Sequence, residues 1–578
     1  MGPSVTVVRL ALLLVLLHPS LAAAQAPVPC APSSQRYSVI ELQPRRHCER
    51  VSIGEDGTLA TVTLIDLNPT VGAWYVLTVQ PSEAAPESFH LERPMSSPVG
   101  GESPVTLRAD GSSLELVDRV GRCQLWSQEP NALRRARTSG LPYAPLCDGR
   151  WYLRNVVPGT YTPLERVTQF LRDHVWQGDK IVNFVREQAF RDAFAEHGAA
   201  VSEGAPPPPM EGPAPGEVRA ADATVAIEPE HLALDLGVHL PALLPGQWYP
   251  VRGAPGIFAS VTRPQSLPEA LLQQDRPTIN PLDRIESAAL DYLVAMDLRQ
   301  FELHFEVGTD EPGVAWSERV PEPRRTPALA GPDGIDTIAP LARTGMVSPA
   351  LTGRVAATFA GGFKRTHGAF LYGPLALKNA GSHYGFMQQG VILSRLQPGL
   401  ATVYRTLDGT LGMKTWQSQD DAVLLDKLVD ARQNGVALID FDAARGLSVA
   451  GPMVAQWGAG NWSGSSEKQL RTLRAGLCLQ VVSDMQRYLV FGYFSTATPS
   501  AMARVFQSYH CRYAMQLDIN ALEHTYFALY TRTGGQLLVQ HLIEDMEVVD
   551  RKGGADLAPR FIGFPDDRDF FYLVRRPP

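Results

Sequence analysis

Met515-Gln516-Leu517-Asp518-Ile519-Asn520-Ala521-Leu522-Glu523-His524 is the stretch on which the reading of the C-terminal half turns. Residues 514–517 form an apolar-leaning run that suits a buried strand. The run then delivers a carboxylate, an amide, a second carboxylate and an imidazole. Strand side chains alternate faces, so Asp518 and Asn520 are expected on the same side. An acid, a hydrogen-bonding amide and an imidazole gathered at a strand end are what a carbohydrate or phosphoester site needs. The plainer alternative is a strand end whose polar groups tie down the following loop.

Upstream, Phe359-Ala360-Gly361-Gly362-Phe363 ends a predicted strand at a double glycine, where the backbone can turn or approach a ligand closely. His383-Tyr384-Gly385 follows in a glycine-containing loop. Asp408-Gly409, between apolar pairs at 403–404 and 411–413, predicts a hairpin. Residues 420–433 read as a helix stopped by Gly435, which sets Arg432 near a helix C-terminus. Arg471 and Arg474 precede an apolar strand run at 476–482. Thr498-Pro499 opens a helix to about residue 509, a capping residue before proline. Residues 293–305 are strand-like, with Phe301, Leu303 and Phe305 on one face.

This order resembles the phosphodiester glycosidase family over roughly residues 285–575. The family carries a strand ending in Asn-Gly-Gly-Phe, then an arginine opening a later strand, a threonine-capped helix, and a strand ending in Leu-Asp-Gly-Gly-Gly-Ser. Gly361, Gly362 and Phe363 match the first motif, Arg471 or Arg474 the arginine, and Leu517 and Asp518 the start of the last. Leu293-Val294-Ala295-Met296-Asp297-Leu298 is similar to the family's opening strand. The chain departs from the pattern at Ala360, where the family has asparagine, and at Ile519, Asn520 and Ala521, where it has glycines. Ile519 would obstruct a sugar or phosphate approaching backbone amides, so the chain looks like a divergent branch.

For the C-terminal part the resemblance implies a mixed sheet flanked by helices; with the β-rich N-terminal domain read from the residues before it, the chain is expected to be α+β. The resemblance also implies a hydrolase cleaving sugar from a phosphodiester-linked or related acidic glycan. Asp518 would act as general acid or stabilise positive charge at the anomeric carbon, and Glu523 would complete a carboxylate pair. His524 and His383 would move protons near neutral pH. Arg474, with Arg432 as a second candidate, would bind phosphate oxygens through paired donors. Asn520 would hydrogen-bond sugar hydroxyls, and Gly361, Gly362 and Phe363 would shape the pocket. Each residue also has a structural reading, as a cap, an ion pair or a core histidine. The second functional reading is therefore a non-catalytic glycan- or partner-binding protein on the same fold.

The rest of the chain sets the context. Arg9, the apolar run 10–17 and Ala22-Ala23-Ala24 read as a secretory signal over residues 1–26, too short to span a bilayer. No other long uncharged apolar stretch follows, so a soluble, exported mature chain, periplasmic or extracellular, is expected. Its 578 residues suffice for two or more domains. With 52 basic and 60 acidic residues, the net charge of −8 argues against a nucleic-acid partner. Six cysteines suit disulfides, and proximity suggests Cys30 with Cys48, Cys123 with Cys147, and Cys478 with Cys511. Residues 27–160 look β-rich, with hairpin turns at Asp56-Gly57 and Asp110-Gly111. A helical segment over 161–200 opens on the capping box Thr162-Pro163-Leu164-Glu165. A proline-rich linker covers 201–219, and the glycosidase-like domain runs from 220 to 578. No zinc spacing, serine-hydrolase elbow or phosphate loop is present, and the sequence names neither a metal nor a cofactor. Asn461-Trp462-Ser463 is a glycosylation sequon.

Overall fold

The computed structural model describes residues 37–577 except 56–57, 96–103, 127–130, 163–164, 167–191, 202–214, 217–224, 238–241, 274–277, 318, 379–382, 459–460, 463–470 and 554–555. The expected signal segment, Cys30, the expected Asp56-Gly57 turn and most of the expected helical segment and linker lie outside the described residues. Strands dominate, with few helices. No described helix is long and apolar enough to cross a membrane.

The N-terminal strands His47–Glu55, Thr58–Asp66, Trp74–Pro81 and Glu87–Glu92 form a meander, extended by Trp151–Arg154 and Tyr143–Leu146. A three-stranded sheet follows, its Thr106–Asp110 and Ser113–Asp118 strands turning at Gly111 with φ of 59°. Strand side chains alternate faces, and the inward ones bury Val62, Leu64, Leu77, Phe89, Leu116 and Trp151 in a core of their own. Cys123 and Cys147 are joined, with Cα atoms 5.5 Å apart. Cys48 is also in a disulfide.

The C-terminal part carries an eight-stranded sheet that includes Asp291–Asp297, Gln486–Ala497, Thr472–Ser483, Cys511–Ile519 and Ala437–Asp442 in that order. Every pairing in it is antiparallel, so the expected mixed sheet is corrected on that point. Cys478 and Cys511 bridge neighbouring strands across 5.7 Å between Cα atoms. A five-stranded sheet holds Phe301–Glu306, Phe570–Arg575, Val355–Ala360 and Phe527–Thr533. Phe359 fastens the two sheets, its ring 5.3 Å from Phe491 on the first and 5.4 Å from Phe571 on the second.

The Pro499–Ser508 helix forms as its sequence requires, with Thr498 Oγ1 accepting from the Ala501 amide at 3.3 Å. It lies so close to the sheet that a Cβ on Gly476 would come within 2.8 Å of Met502 and Phe506. The expected helix over 420–433 does not form. A single turn at Asp420–Val423 gives way to the strand Leu428–Gln433, every residue of which is buried. Its polar residues mimic an amphipathic helix, but each is paired inside the fold, Asp430 with Arg405 and Arg432 with Asp569. Arg432 thus belongs to a central strand, not to a helix end.

Candidate functional site

Two strand ends meet where the sequence analysis placed the site. Asp518 is the penultimate residue of Cys511–Ile519 in the eight-stranded sheet, and Gly361 directly follows Val355–Ala360 of the other sheet. The chain leaves the first strand through Asn520, whose φ of 82° turns it out of the strand. Asp518 Oδ1 accepts from the Ile519 amide at 2.9 Å, and its Oδ2 lies 2.6 Å from Arg568 Nη1. Arg568 stands in the run Pro565-Asp566-Asp567-Arg568-Asp569, which leads into the Phe570–Arg575 strand.

The same guanidinium donates from Nε to Glu165 Oε1 at 2.6 Å. Glu165 arrives on the segment that leaves the N-terminal sheet. The capping box is formed: Glu165 Oε2 accepts from the Thr162 amide at 2.9 Å and Thr162 Oγ1 from the Glu165 amide at 3.2 Å. Thr160 pins the segment by donating to Pro565 O at 2.9 Å. His524 completes this side. Its Nδ1 donates to Ile519 O at 2.8 Å, and its Nε2 lies 3.6 Å from Glu165 Oε1. Burial alone would raise the Glu165 pKa, but the charges of Arg568 and His524 hold it well below the usual carboxylate range.

Gly361, Gly362, Phe363 and Arg432 form the second half of the cluster. The Gly361 amide donates to Asp569 O at 2.9 Å. Arg432 pairs with Asp569 at 3.0 Å and donates to Phe363 O at 2.7 Å. A Cβ on Gly361 would sit 2.1 Å from the Asp569 carboxylate, and one on Gly362 would sit 2.5 Å from Asn434 Oδ1. The double glycine therefore makes room for the chain's own carboxylate and amide. Asn434 ties the halves together, accepting from the Phe363 amide at 2.9 Å and donating to Gln516 O at 2.7 Å and Leu517 O at 3.1 Å. Burial raises the pKa of Asp569, with Arg432 opposing it. Asp567, buried between the charges of Asp566 and Glu165, is pushed up to about 7, with Lys364 3.7 Å away.

Of the other predicted site residues, Glu523 borders the cluster, while Arg474, Asn520 and His383 make separate contacts. Arg474 is fully buried on the neighbouring strand, donating to Ala497 O at 2.6 Å and Gln516 Oε1 at 3.2 Å. Burial lowers its pKa to about 9. Asn520 Oδ1 accepts from Thr472 Oγ1 at 2.9 Å, inside the fold. Glu523 sits in a short turn, its Oε1 3.4 Å from Thr162 Oγ1 and its backbone carbonyl bound by Arg560. His383 lines a separate cavity with Trp316, and its Nε2 accepts from the Ser317 amide at 3.0 Å. The sequon asparagine, Asn461, is also buried, accepting from the Leu371 and Tyr372 amides.

Sequence reasoning missed Arg568, Asp569, Asp567, Asn434 and the position of Glu165. The run of charges Asp566 to Asp569 directly before an aromatic strand was the available signal, since four charged residues at the mouth of a buried strand need partners. The capping box located Glu165 as a helix start, with nothing local to show that its carboxylate also reaches Arg568.

No family model matches this chain, and no curated protein matches it. Solved structures offer distant likenesses of fold. The catalytic domain of zebrafish N-acetylglucosamine-1-phosphodiester α-N-acetylglucosaminidase, auto-inhibited by its pro-peptide, is 11% identical, with a TM-score of 0.28 over 56% of this chain and 85% of that one. A hypothetical protein from Synechocystis is 10% identical, with a TM-score of 0.26 over 91% and 99% of the two chains. A putative exported protein from Burkholderia pseudomallei is 10% identical, with a TM-score of 0.21 over 50% and 74%. These likenesses assign the chain to no family.

Proposed function

We propose that this chain is an exported hydrolase of the phosphodiester glycosidase kind, cleaving a sugar from a phosphodiester-linked or related acidic glycan. The observation that carries the reading is the ion pair of Asp518 with Arg568 at a strand end, beside the Gly361–Phe363 turn. Asp518 is a carboxylate held by a cation and one amide, suited to stabilising positive charge at an anomeric carbon. Arg568 takes over the anion-binding role that the sequence gave to Arg474. Its guanidinium and His524 already hold one anion, the Glu165 carboxylate, and a phosphate oxygen would take the same donors. The two disulfides among the described residues suit an oxidising, exported setting.

A non-catalytic role has its own support. Ile519 and Asn520 stand where the resembled family has glycines, and Glu165 fills the guanidinium's second face. The test is release of N-acetylglucosamine from an N-acetylglucosamine-1-phosphodiester by the purified protein, by Glu165→Ala and by Asp518→Asn. Release by the first or second, lost on adding Asp518→Asn, supports hydrolysis at this site. No release by any folded variant refutes this substrate class.

A further inference from the structure

The turn at Gly361-Gly362-Phe363 brings one more charged side chain to the Asp518 cluster. Lys364 directly follows Phe363. Its backbone is held on both sides. The Phe363 amide donates to Asn434 Oδ1 at 2.9 Å, and the Phe363 carbonyl accepts from Arg432 at 2.7 Å. Beyond it, the Arg365 amide donates to Glu311 Oε2 at 3.0 Å, and the Lys364 carbonyl accepts from the His367 amide at 2.9 Å. A lysine anchored in this way starts from a fixed Cβ, so binding has only its four-carbon stem to order.

The ammonium reaches the run that holds Arg568. Its Nζ lies 3.7 Å from Asp567 Oδ2, within ion-pair range but beyond hydrogen-bond length. No other carboxylate is within ion-pair range of it among the described residues. Neither oxygen of Asp567 has a hydrogen-bond partner there. Burial, with the charges of Asp566 and Glu165, pushes the Asp567 pKa up to about 7. Near neutral pH a share of the molecules therefore carries a proton on Asp567, and in those the lysine charge is unmatched.

Access separates Lys364 from the other cations of the cluster. The Arg432 side chain is 1% exposed and pairs with Asp569 at 3.0 Å. The Arg568 side chain is 11% exposed and pairs with Asp518 at 2.6 Å. Lys364 is 26% exposed, with its nearest carboxylate oxygen at 3.7 Å. An anion arriving from solvent meets two guanidiniums already bonded to the protein's own carboxylates, and one ammonium whose donors can turn toward it.

Resting on the reading of the Asp518 cluster as a sugar-phosphodiester site, we propose that Lys364 is a phosphate-binding residue of that site, its ammonium donating to a non-bridging oxygen of the diester. A compact ammonium serves a single phosphate oxygen as a point charge, without the planar alignment a guanidinium needs. Lys364 then recognises the phosphate and not the sugar, so it sets the preference for a charged diester over an uncharged glycoside.

The test is calorimetric titration of the full mature chain and of its Glu165→Ala form, each with and without Lys364→Gln or Lys364→Arg. One probe is a singly charged N-acetylglucosamine phosphonate monoester with a methylene in place of the glycosidic oxygen, which hydrolysis cannot consume. The other is the uncharged methyl N-acetylglucosaminide. Lys364→Gln is expected to weaken the phosphonate about tenfold, the loss of one charge-assisted hydrogen bond at a partly exposed position, and to leave the glycoside within twofold. Lys364→Arg, which keeps the charge, should restore most of the phosphonate affinity. Near-UV circular dichroism checks that each variant is folded. Phosphonate binding that Lys364→Gln leaves unchanged, or an equal weakening of both probes, would overturn the role of Lys364 and leave the reading of the site standing. Phosphonate binding by neither the parent nor the Glu165→Ala protein would overturn that reading, and this proposal with it.

Discussion

Replacing Arg154 with methionine is expected to destabilise the protein severely, and to do so more at alkaline than at acid pH. Arg154 ends the Trp151–Arg154 strand and is almost wholly buried. Its guanidinium pairs with Glu92 at 2.5 Å and with Glu306 at 2.8 Å, and it donates to Thr344 Oγ1 at 2.9 Å and Tyr143 Oη at 3.1 Å. It also lies 4.5 Å from the centre of the Trp74 ring. Methionine keeps much of the volume but leaves two buried carboxylates without their cation, a loss of about 3–5 kcal/mol. Protonation tempers that cost. Burial already pushes Glu306 up to about 7 even with Arg154 beside it. A carboxyl with a raised folded pKa binds more protons folded than unfolded, so its contribution falls as pH rises from its ordinary value through about 7. Without Arg154 the folded pKa rises further, and the fall continues to higher pH. Guanidinium unfolding of parent and variant at pH 5 and pH 8 measures both effects. A deficit under about 1 kcal/mol, or one equal at the two pH values, would refute the reasoning.

Three further outcomes are expected. Glu165→Gln should flatten the acid limb of the melting curve: the parent carboxylate is held below its ordinary pKa, so its contribution is present above that value and lost as pH falls through the folded one, which a melting series from pH 7 to 3 would reveal. Gly361→Ala should cost about 1–3 kcal/mol because the new methyl meets the Asp569 carboxylate, and pairing it with Asp569→Ala should recover part of the loss in a double-mutant melting cycle. Asn461 should stay unmodified when the chain is secreted from a glycosylating host, since its amide is buried and bound to two backbone amides; intact mass with and without glycosidase treatment checks this, and a mass loss at Asn461 contradicts it.

What the sequence revealed was local, and what it concealed was distant. The Thr498-Pro499 helix start, the Asp408-Gly409 hairpin and the Thr162–Glu165 box each carry their own hydrogen-bond logic within a few residues, and all three are present. The segment 420–433 misled because its alternation of charged and apolar residues satisfies a helical pattern as well as a strand buried on both faces, and only the partners Arg405 and Asp569 decide between them. The site shows the same division. Asp518 and the double glycine stand out at strand ends. Arg568 is 50 residues from the Asp518 it pairs with and 403 from Glu165. No period or spacing encodes contacts of that length. Arg474, matched to the arginine of the resembled family, was given the role instead, and its side chain is spent on Ala497 and Gln516.

Charge balance around Arg568 constrains how the proposed site would work. Asp518, Glu165, Asp567 and Asp569 bring four carboxylates to a region where Arg568, Arg432 and Lys364 supply the cations that pair with them. The excess is relieved at Asp567, whose pKa is raised by burial and by the charges of Asp566 and Glu165. Adding an anionic substrate while Glu165 stays in place would increase the imbalance in a region of low dielectric. Exchanging Glu165 for a singly charged phosphodiester would leave it unchanged. On the proposed reading, substrate and Glu165 therefore compete for the same guanidinium, and the Glu165→Ala protein should bind the phosphodiester more tightly than the parent. Equal affinity in the two proteins would mean that the phosphodiester does not use Arg568, and the assignment of the anion-binding role to that residue would fall with it.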